Sequence, residues 1–190
     1  MPKQVDIKKF INTAPVGKII KVKFNDGKTY EIVKYHEGIA GLRDCYTTMS
    51  IDPEYTHDWN KCELKKKLEM WFRENAPIEL KECCKVTIPS MTNVFGKKKY
   101  KDWHNDDESE FQFDYFKDWH NRVKSVLDGS GWSKEEGYYW WLRSPYAGYS
   151  SYFCRVFSRG NAYGYYASYS RGVAPCFCSK DLISSLNADD

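Results

Sequence analysis

The stretch from Tyr138 to Cys178, YYWWLRSPYAGYSSYFCRVFSRGNAYGYYASYSRGVAPCFC, constrains the chain more than any other. It reads as two anchors around an aromatic middle. The first anchor is Trp140, Trp141, Leu142, Arg143, Ser144 and Pro145, and the second is Gly172, Val173, Ala174, Pro175, Cys176 and Phe177. Between them Tyr146, Tyr149, Tyr152, Tyr163, Tyr165, Tyr166 and Tyr169 are embedded in Ser, Ala, Gly and Asn, without His, Asp, Glu or Lys. A general base or an oxygen-ligand metal site would therefore have to come from elsewhere. Such a composition is suited to binding, because Tyr offers a large amphipathic contact area at low rotamer cost while Ser, Gly and Asn adapt around it. The expected contact residues are Tyr146, Tyr149, Tyr152, Asn161, Tyr163, Tyr165, Tyr166, Ser168 and Tyr169, with Trp140, Trp141, Arg143, Gly160, Gly172 and Pro175 as scaffold. Arg143, between Leu142 and Ser144, is expected to be buried as a fork tying loops together, since a buried guanidinium must find carboxylate or carbonyl partners. Gly160 marks the reversal of a hairpin from Tyr152–Phe157 to Ala162–Tyr166.

At 190 residues the chain is long enough for one domain with a sizeable core. We expect a single domain over 1–190, with a hairpin and helices in 1–137 and a ligand-binding region over 138–178. The net charge of +3 comes from lysines dispersed among nearly as many acids, which argues against a nucleic-acid partner. Met1 to Pro15 lacks the apolar core of a signal peptide and no run approaches a membrane span, so a cytoplasmic or phage-particle location is expected. Seven cysteines, an odd count with Cys83 and Cys84 adjacent, point to reduced thiols rather than a disulfide framework.

Along the chain, Ile7, Phe10 and Ile11 predict a short helix over Asp6 to Asn12. Alternation predicts strands over Lys18 to Phe24 and Thr29 to Tyr35, joined by Asn25-Asp26-Gly27, and a further strand over Ile39 to Tyr46. Leu64, Leu68 and Phe72 predict a helix over Thr56 to Asn75 with Asp58 as N-cap and Pro77 as stop. A helical turn over Pro77 to Cys84, a strand over Lys85 to Ile88 and a turn of helix over Met91 to Phe95, closed by Gly96, follow. The charge-dense Lys97 to Glu110 reads as a surface loop. Phe111, Phe113, Tyr115, Phe116 and Trp119 read as core filling, and Val123 to Leu127 as helix ended by Asp128 to Gly131. Cys176 to Cys178 is expected to be a buried strand.

Candidate chemistry is sparse. His36, His57, His104 and His120 stand at no recognised ligand spacing, and no phosphate loop, dinucleotide fingerprint, HExxH or nucleophile elbow is present. Trp103-His104-Asn105-Asp106 differs from the Trp-Asn-Asp calcium signature of sugar-binding lectins by its intervening His, so no metal and no cofactor are expected.

The pairing of W-W-L-R-S-P at 140–145 with G-V-A-P at 172–175, around a hairpin containing one Gly, resembles the C-terminal motif of a bacterial and phage domain family of uncharacterised function. That family is similar to a branch of the C-type-lectin fold, shared with formylglycine-generating enzymes. Trp59 with its helix, and Ile88 to Gly96 (IPSMTNVFG), sit where such domains carry similar elements. The resemblance implies an α+β, C-type-lectin-like fold with small antiparallel sheets, two or more helices and a long C-terminal loop and hairpin region. It also implies a variable protein of a diversity-generating retroelement, in which adenine-specific mutagenesis rewrites the C-terminal stretch. Randomising the first two bases of an AAY codon never yields Trp, Lys, Glu, Gln or Met, and Tyr146 to Ser170 contains none of these. Relatives carry Arg where this chain has Ala174, so any ion pair of that Arg is absent or replaced. The copper-binding cysteines of the formylglycine-generating enzymes have no match, so oxidase activity is not implied. The expected function is non-enzymatic recognition of a protein or cell-surface ligand, with self-association left open. The alternatives are an enzyme with a Cys nucleophile such as Cys154 or Cys176, and a structural particle component.

Overall fold

The computed structural model describes residues 5–127 and 137–182. It is an α+β fold built on two five-stranded sheets. Asp6 caps the first helix, α1 (Ile7–Thr13), by accepting from the Lys9 amide at 2.9 Å, and Ile7, Phe10 and Ile11 face inward. The alternating hairpin follows as β1 (Ile19–Lys23) and β2 (Thr29–His36), paired antiparallel with Val22 opposite Tyr30.

The strand expected over Ile39 to Tyr46 stops early, as β3 (Ile39–Leu42). Beyond it the Arg43 amide bonds to Glu31 O, and Cys45 bridges Val126, which turns the chain out of the first sheet. It then enters the second sheet as β4 (Thr47–Met49).

The long helix also starts later than its periodicity predicts. α2 spans Glu63–Asn75, with Cys62 rather than Asp58 at its N-cap. The segment before it is held in a turn instead. The Asp52 carboxylate accepts from the His57 amide at 2.9 Å and Thr56 Oγ1 at 3.0 Å, and Tyr55 and His57 adopt left-handed backbone. Asp58 O closes that turn by accepting from the Lys61 and Cys62 amides. Within α2, Leu64, Leu68 and Phe72 form the buried stripe, and truncating a fully buried leucine such as Leu68 to Ala would cost about 2–5 kcal/mol.

After α3 (Ile78–Cys83), β5 (Cys84–Thr87) and the short α4 (Met91–Phe95), the chain wraps the aromatic segment around the core. Phe113 and Phe116 are buried, whereas Trp119 is exposed. The expected helix over Val123 to Leu127 is not formed. Lys124 bridges Tyr138 and Val126 bridges Cys45, because Lys124 Nζ is drawn inside to Tyr35 Oη, Leu42 O and Arg43 O at 2.6–3.0 Å. Burial pushes this lysine down to about 8. The turn expected over Asp128 to Gly131 lies outside the described residues.

The remaining strands are β6 (Trp140–Pro145), β7 (Tyr152–Val156), β8 (Ala162–Tyr166), β9 (Arg171–Val173) and β10 (Cys176–Ser179). The first sheet runs β1-β2-β3-β10-β5 and the second β4-β9-β6-β7-β8. The second sheet is mixed rather than purely antiparallel, because β6 and β9 pair parallel at Trp140 and Gly172. The sheets exchange strands: late-sequence β10 sits between β3 and β5, while early-sequence β4 borders β9.

Side chains on a strand alternate between faces, and β6 is covered on both. Trp141 joins a core formed with α1, α2 and Phe177, while Trp140 and Leu142 join a second core with Met91, Phe116 and Cys176. That double coverage is why the run Trp140-Trp141-Leu142 is continuously apolar.

Candidate functional site

The sequence-predicted anchors hold the site from beneath. Trp140 and Trp141 are fully buried, and their indole N–H groups donate to Arg122 O at 2.9 Å and Met49 O at 3.0 Å. Arg143 is a fork with partners on three segments. Its Nη2 pairs with Glu110 Oε1 at 2.6 Å, and its Nη1 donates to Ile88 O and Asn93 Oδ1, each at 2.9 Å. Next to it, Ser144 Oγ donates to Asp106 and accepts from the Met91 amide at 2.8 Å.

These contacts correct the reading of Lys97 to Glu110 as a surface loop. Lys97 to Lys99 are exposed, but the Asp106 and His104 side chains are each only 6% exposed and lie 3.0 Å apart. Burial alone would raise the Asp106 carboxyl. Hydrogen bonds from His104, Ser144 and the Thr92 amide outweigh it and hold the group below its ordinary range. With its oxygens engaged in this way, Asp106 serves as a clamp on α4. Among the described residues no group of three His, Cys, Asp or Glu is placed to hold a metal ion.

The second anchor packs without slack. A Cβ on Gly172 would stand 2.6 Å from Cys45 Sγ and 3.1 Å from Tyr139 O, so only glycine fits. Pro175 is buried and its carbonyl accepts from the Leu42 amide at 2.9 Å. Ala174 is fully buried in the second core, and Arg143 has Glu110 as its ionic partner. Gly160 turns the β7–β8 hairpin with φ +81°.

On this base the structure brings most of the expected contact residues together. Ring contacts run from Tyr146 to Tyr149 (6.2 Å), Tyr149 to Tyr152 (5.1 Å), Tyr152 to Tyr166 (4.5 Å), and then through Tyr169 to Tyr165 (6.1 and 5.2 Å). The chain of rings wraps the free edge of β8. Tyr149, Tyr166 and Tyr169 are 63%, 43% and 51% exposed. A hydrogen bond with the phenol of Tyr166 raises that of Tyr152 to about 12, so Tyr152 is a neutral donor and acceptor at physiological pH.

Three residues differ from the others. Tyr146 is half-buried, its ring lying over Gly164, where a Cβ would come within 3.0 Å, and edge-on to Trp103 at 5.4 Å. It supports the patch more than it presents itself. Tyr163, on the opposite face of β8 from Tyr166, is exposed and touches Phe157. Asn161 is exposed in the 157–161 turn, at the other end of the hairpin from Tyr152 and Tyr166, and joins no tyrosine contact.

The loops carrying the patch are tied down. The Ile51 and Asp52 amides both donate to Ala167 O, the Ala147 amide donates to Trp103 O, and Tyr55 Oη donates to Ser168 Oγ at 2.7 Å. His57 Nε2 lies 3.1 Å from Tyr146 O. Tyr55, 45% exposed, thus extends the surface from a segment that sequence reasoning did not associate with it. Also missed were Arg155 and Arg171, which stack on the rings of Tyr165 and Tyr139, and Tyr139 itself. The available signal was that every charge between Gly137 and Ser179 is an arginine.

Cys154 and Cys176 are fully buried, and burial pushes both thiols far up. All seven cysteines are free. Among the described residues no helix is long and apolar enough to cross a membrane.

A family model described as Domain of unknown function (DUF6273) matches residues 82–180, just over half of the chain and the whole run from β5 to β10. No curated protein and no solved structure matches it.

Proposed function

We propose that this chain, which belongs to the family described as Domain of unknown function (DUF6273), is a non-enzymatic recognition protein. Its tyrosine patch binds a protein or cell-surface ligand, on a scaffold of C-type-lectin-like type. The segment 146–170 is the diversified region of a retroelement-driven variable protein. The observation that carries this reading is the unbroken series of tyrosine ring contacts around the edge of β8, with three of its rings 43–63% exposed. Tyrosine dominates binding hot spots, and contiguous exposed rings mark interaction surfaces. The buried, raised thiols of Cys154 and Cys176 weigh against the Cys-nucleophile alternative, since the thiolate is the reactive form.

Sequencing the locus in independent isolates tests the proposal. The expected result is a near-copy of the codons for 146–170 in neighbouring DNA, differing at adenines, with substitutions concentrated on the surface residues of that segment. Substitutions spread evenly across scaffold and surface codons, with no template copy, refute diversification. A ligand found to bind with all the patch tyrosines changed to Ala refutes the surface assignment.

A further inference from the structure

Arg155 is 4% exposed, yet its Nε and Nη1 are buried without a hydrogen-bond acceptor. Its Cζ lies 4.1 Å from the Tyr165 ring centroid and 4.5 Å from that of Tyr139, with Tyr163 at 5.5 Å. A second cation stands beside it. Arg171 stacks on Tyr165 at 4.8 Å, Tyr139 at 5.4 Å and Tyr169 at 5.7 Å, and its Nε is likewise buried and unpaired. Burial, and after it the neighbouring Arg171, weaken the charged form of Arg155, which pairs with no carboxylate among the described residues.

Cation–π contacts recover part of the cost of burying a guanidinium, but they use its faces and leave its N–H edge unpaired. A buried donor without an acceptor is expensive, more so when charged. Two such cations side by side, each with an idle donor, make a site complementary to an anion. The faces of Arg155 are taken up by rings, so the incoming group has to approach along the donor edge. A planar carboxylate, whose two oxygens can accept one N–H from each arginine, enters edge-on between rings more readily than a tetrahedral anion. The solvent side of the pair is covered by the rings of Tyr163 and Tyr169, which are 53% and 51% exposed, so an incoming carboxylate displaces one of them.

We propose that Arg155 and Arg171, caged by Tyr139, Tyr163, Tyr165 and Tyr169, form a carboxylate-binding subsite of the tyrosine surface that takes a Glu or Asp side chain of an acidic protein partner. The inference rests on the reading of that surface as a recognition surface and adds its preferred chemistry.

The test is fluorescence anisotropy with a fluorescein-labelled peptide of alternating Glu and Gly, at fixed ionic strength, against the same peptide with Gln for Glu. The wild-type chain binds the Glu peptide at least tenfold more tightly than the Gln peptide. Arg155→Met removes that preference while the melting temperature holds or rises, because an unpaired buried charge has gone. Arg171→Gln weakens binding several-fold, and Arg159→Gln, an exposed arginine in the hairpin turn, leaves it unchanged. Equal binding of the two peptides overturns the proposal, as does an Arg155→Met chain that melts earlier with its Glu preference intact. Inorganic phosphate displacing the Glu peptide more effectively than acetate does overturns the carboxylate assignment. Tyr149→Ala separates the two readings. If Tyr149→Ala weakens binding and Arg155→Met does not, the recognition surface stands and the anion subsite falls. If neither matters, both fall.

Discussion

Replacing Arg143 by Met should detach the 88–110 segment from β6, and the cost follows from what the guanidinium holds. Its Nη2 pairs with Glu110 at 2.6 Å and its Nη1 serves two neutral acceptors, Ile88 O and Asn93 Oδ1. The paired side chains are 20% and 17% exposed. Removing one partner of a buried pair costs about 3–5 kcal/mol, because the other charge is left desolvated. Water reaches Glu110 in part, so the expected loss falls at or below the bottom of that range, about 2–3 kcal/mol. Asn93 Oδ1 keeps a second donor, the Ser90 amide at 3.0 Å, which limits the penalty at that site. Glu110→Gln should cost about 1–2 kcal/mol, since Arg143 retains its neutral acceptors. The double variant Arg143→Met/Glu110→Gln should fall short of the sum by about 1–2 kcal/mol, within the range of coupled neighbours. Arg143→Lys should be intermediate, because a point charge cannot fork to three partners. Urea unfolding of the four chains supplies the cycle. A loss below about 0.5 kcal/mol for Arg143→Met, typical of an uninvolved surface site, or strict additivity in the double variant, would refute the assignment of Arg143 as the fork.

Gly172→Ala should destabilise by about 1–3 kcal/mol through overpacking against Cys45 Sγ and Tyr139 O, and Cys45→Ala in the same chain should recover part of it, as read by thermal melting. Because Asp106 is held below its ordinary value of 3.8, its contribution is complete above that value and is lost as pH falls through the folded pKa. Stability measured below about pH 4 should therefore fall less steeply in Asp106→Asn than in the parent chain. Iodoacetamide at neutral pH should label the half-buried Cys83 and Cys178 before Cys62, Cys154 and Cys176, whose thiols burial raises, Cys62 to about 11. Rapid labelling of Cys154 in the folded chain would revive the nucleophile alternative. Tyr149→Ala should cost under about 1 kcal/mol of stability, whereas Phe153→Ala, in the first core, should cost about 3–5 kcal/mol.

Local signals were legible wherever one short segment carried its own reason. The Ile7-Phe10-Ile11 spacing, the Asn25-Asp26-Gly27 turn and the Leu64-Leu68-Phe72 stripe each specify an element from residues within a few positions. The anchors were legible as scaffold because the run Trp140-Trp141-Leu142 is continuously apolar, while the structure made it a strand buried on both faces. The tyrosine composition of 146–169 was likewise enough to nominate a surface.

Tertiary structure alone decided where charges and boundaries went. Lys124 turned a nominal helix into bridging strand because its amine found three oxygens far away in sequence. Asp58 lost the helix cap because Asp52 captured the preceding turn. Asp106 and Glu110 left an apparently solvated loop for Ser144 and Arg143. The juxtaposition of Arg155 with Arg171 required β7 and β9, on either side of β6, to share a sheet. A buried charge is stabilised by whichever partner the fold brings within about 3 Å, and no periodicity in the neighbouring residues encodes that partner.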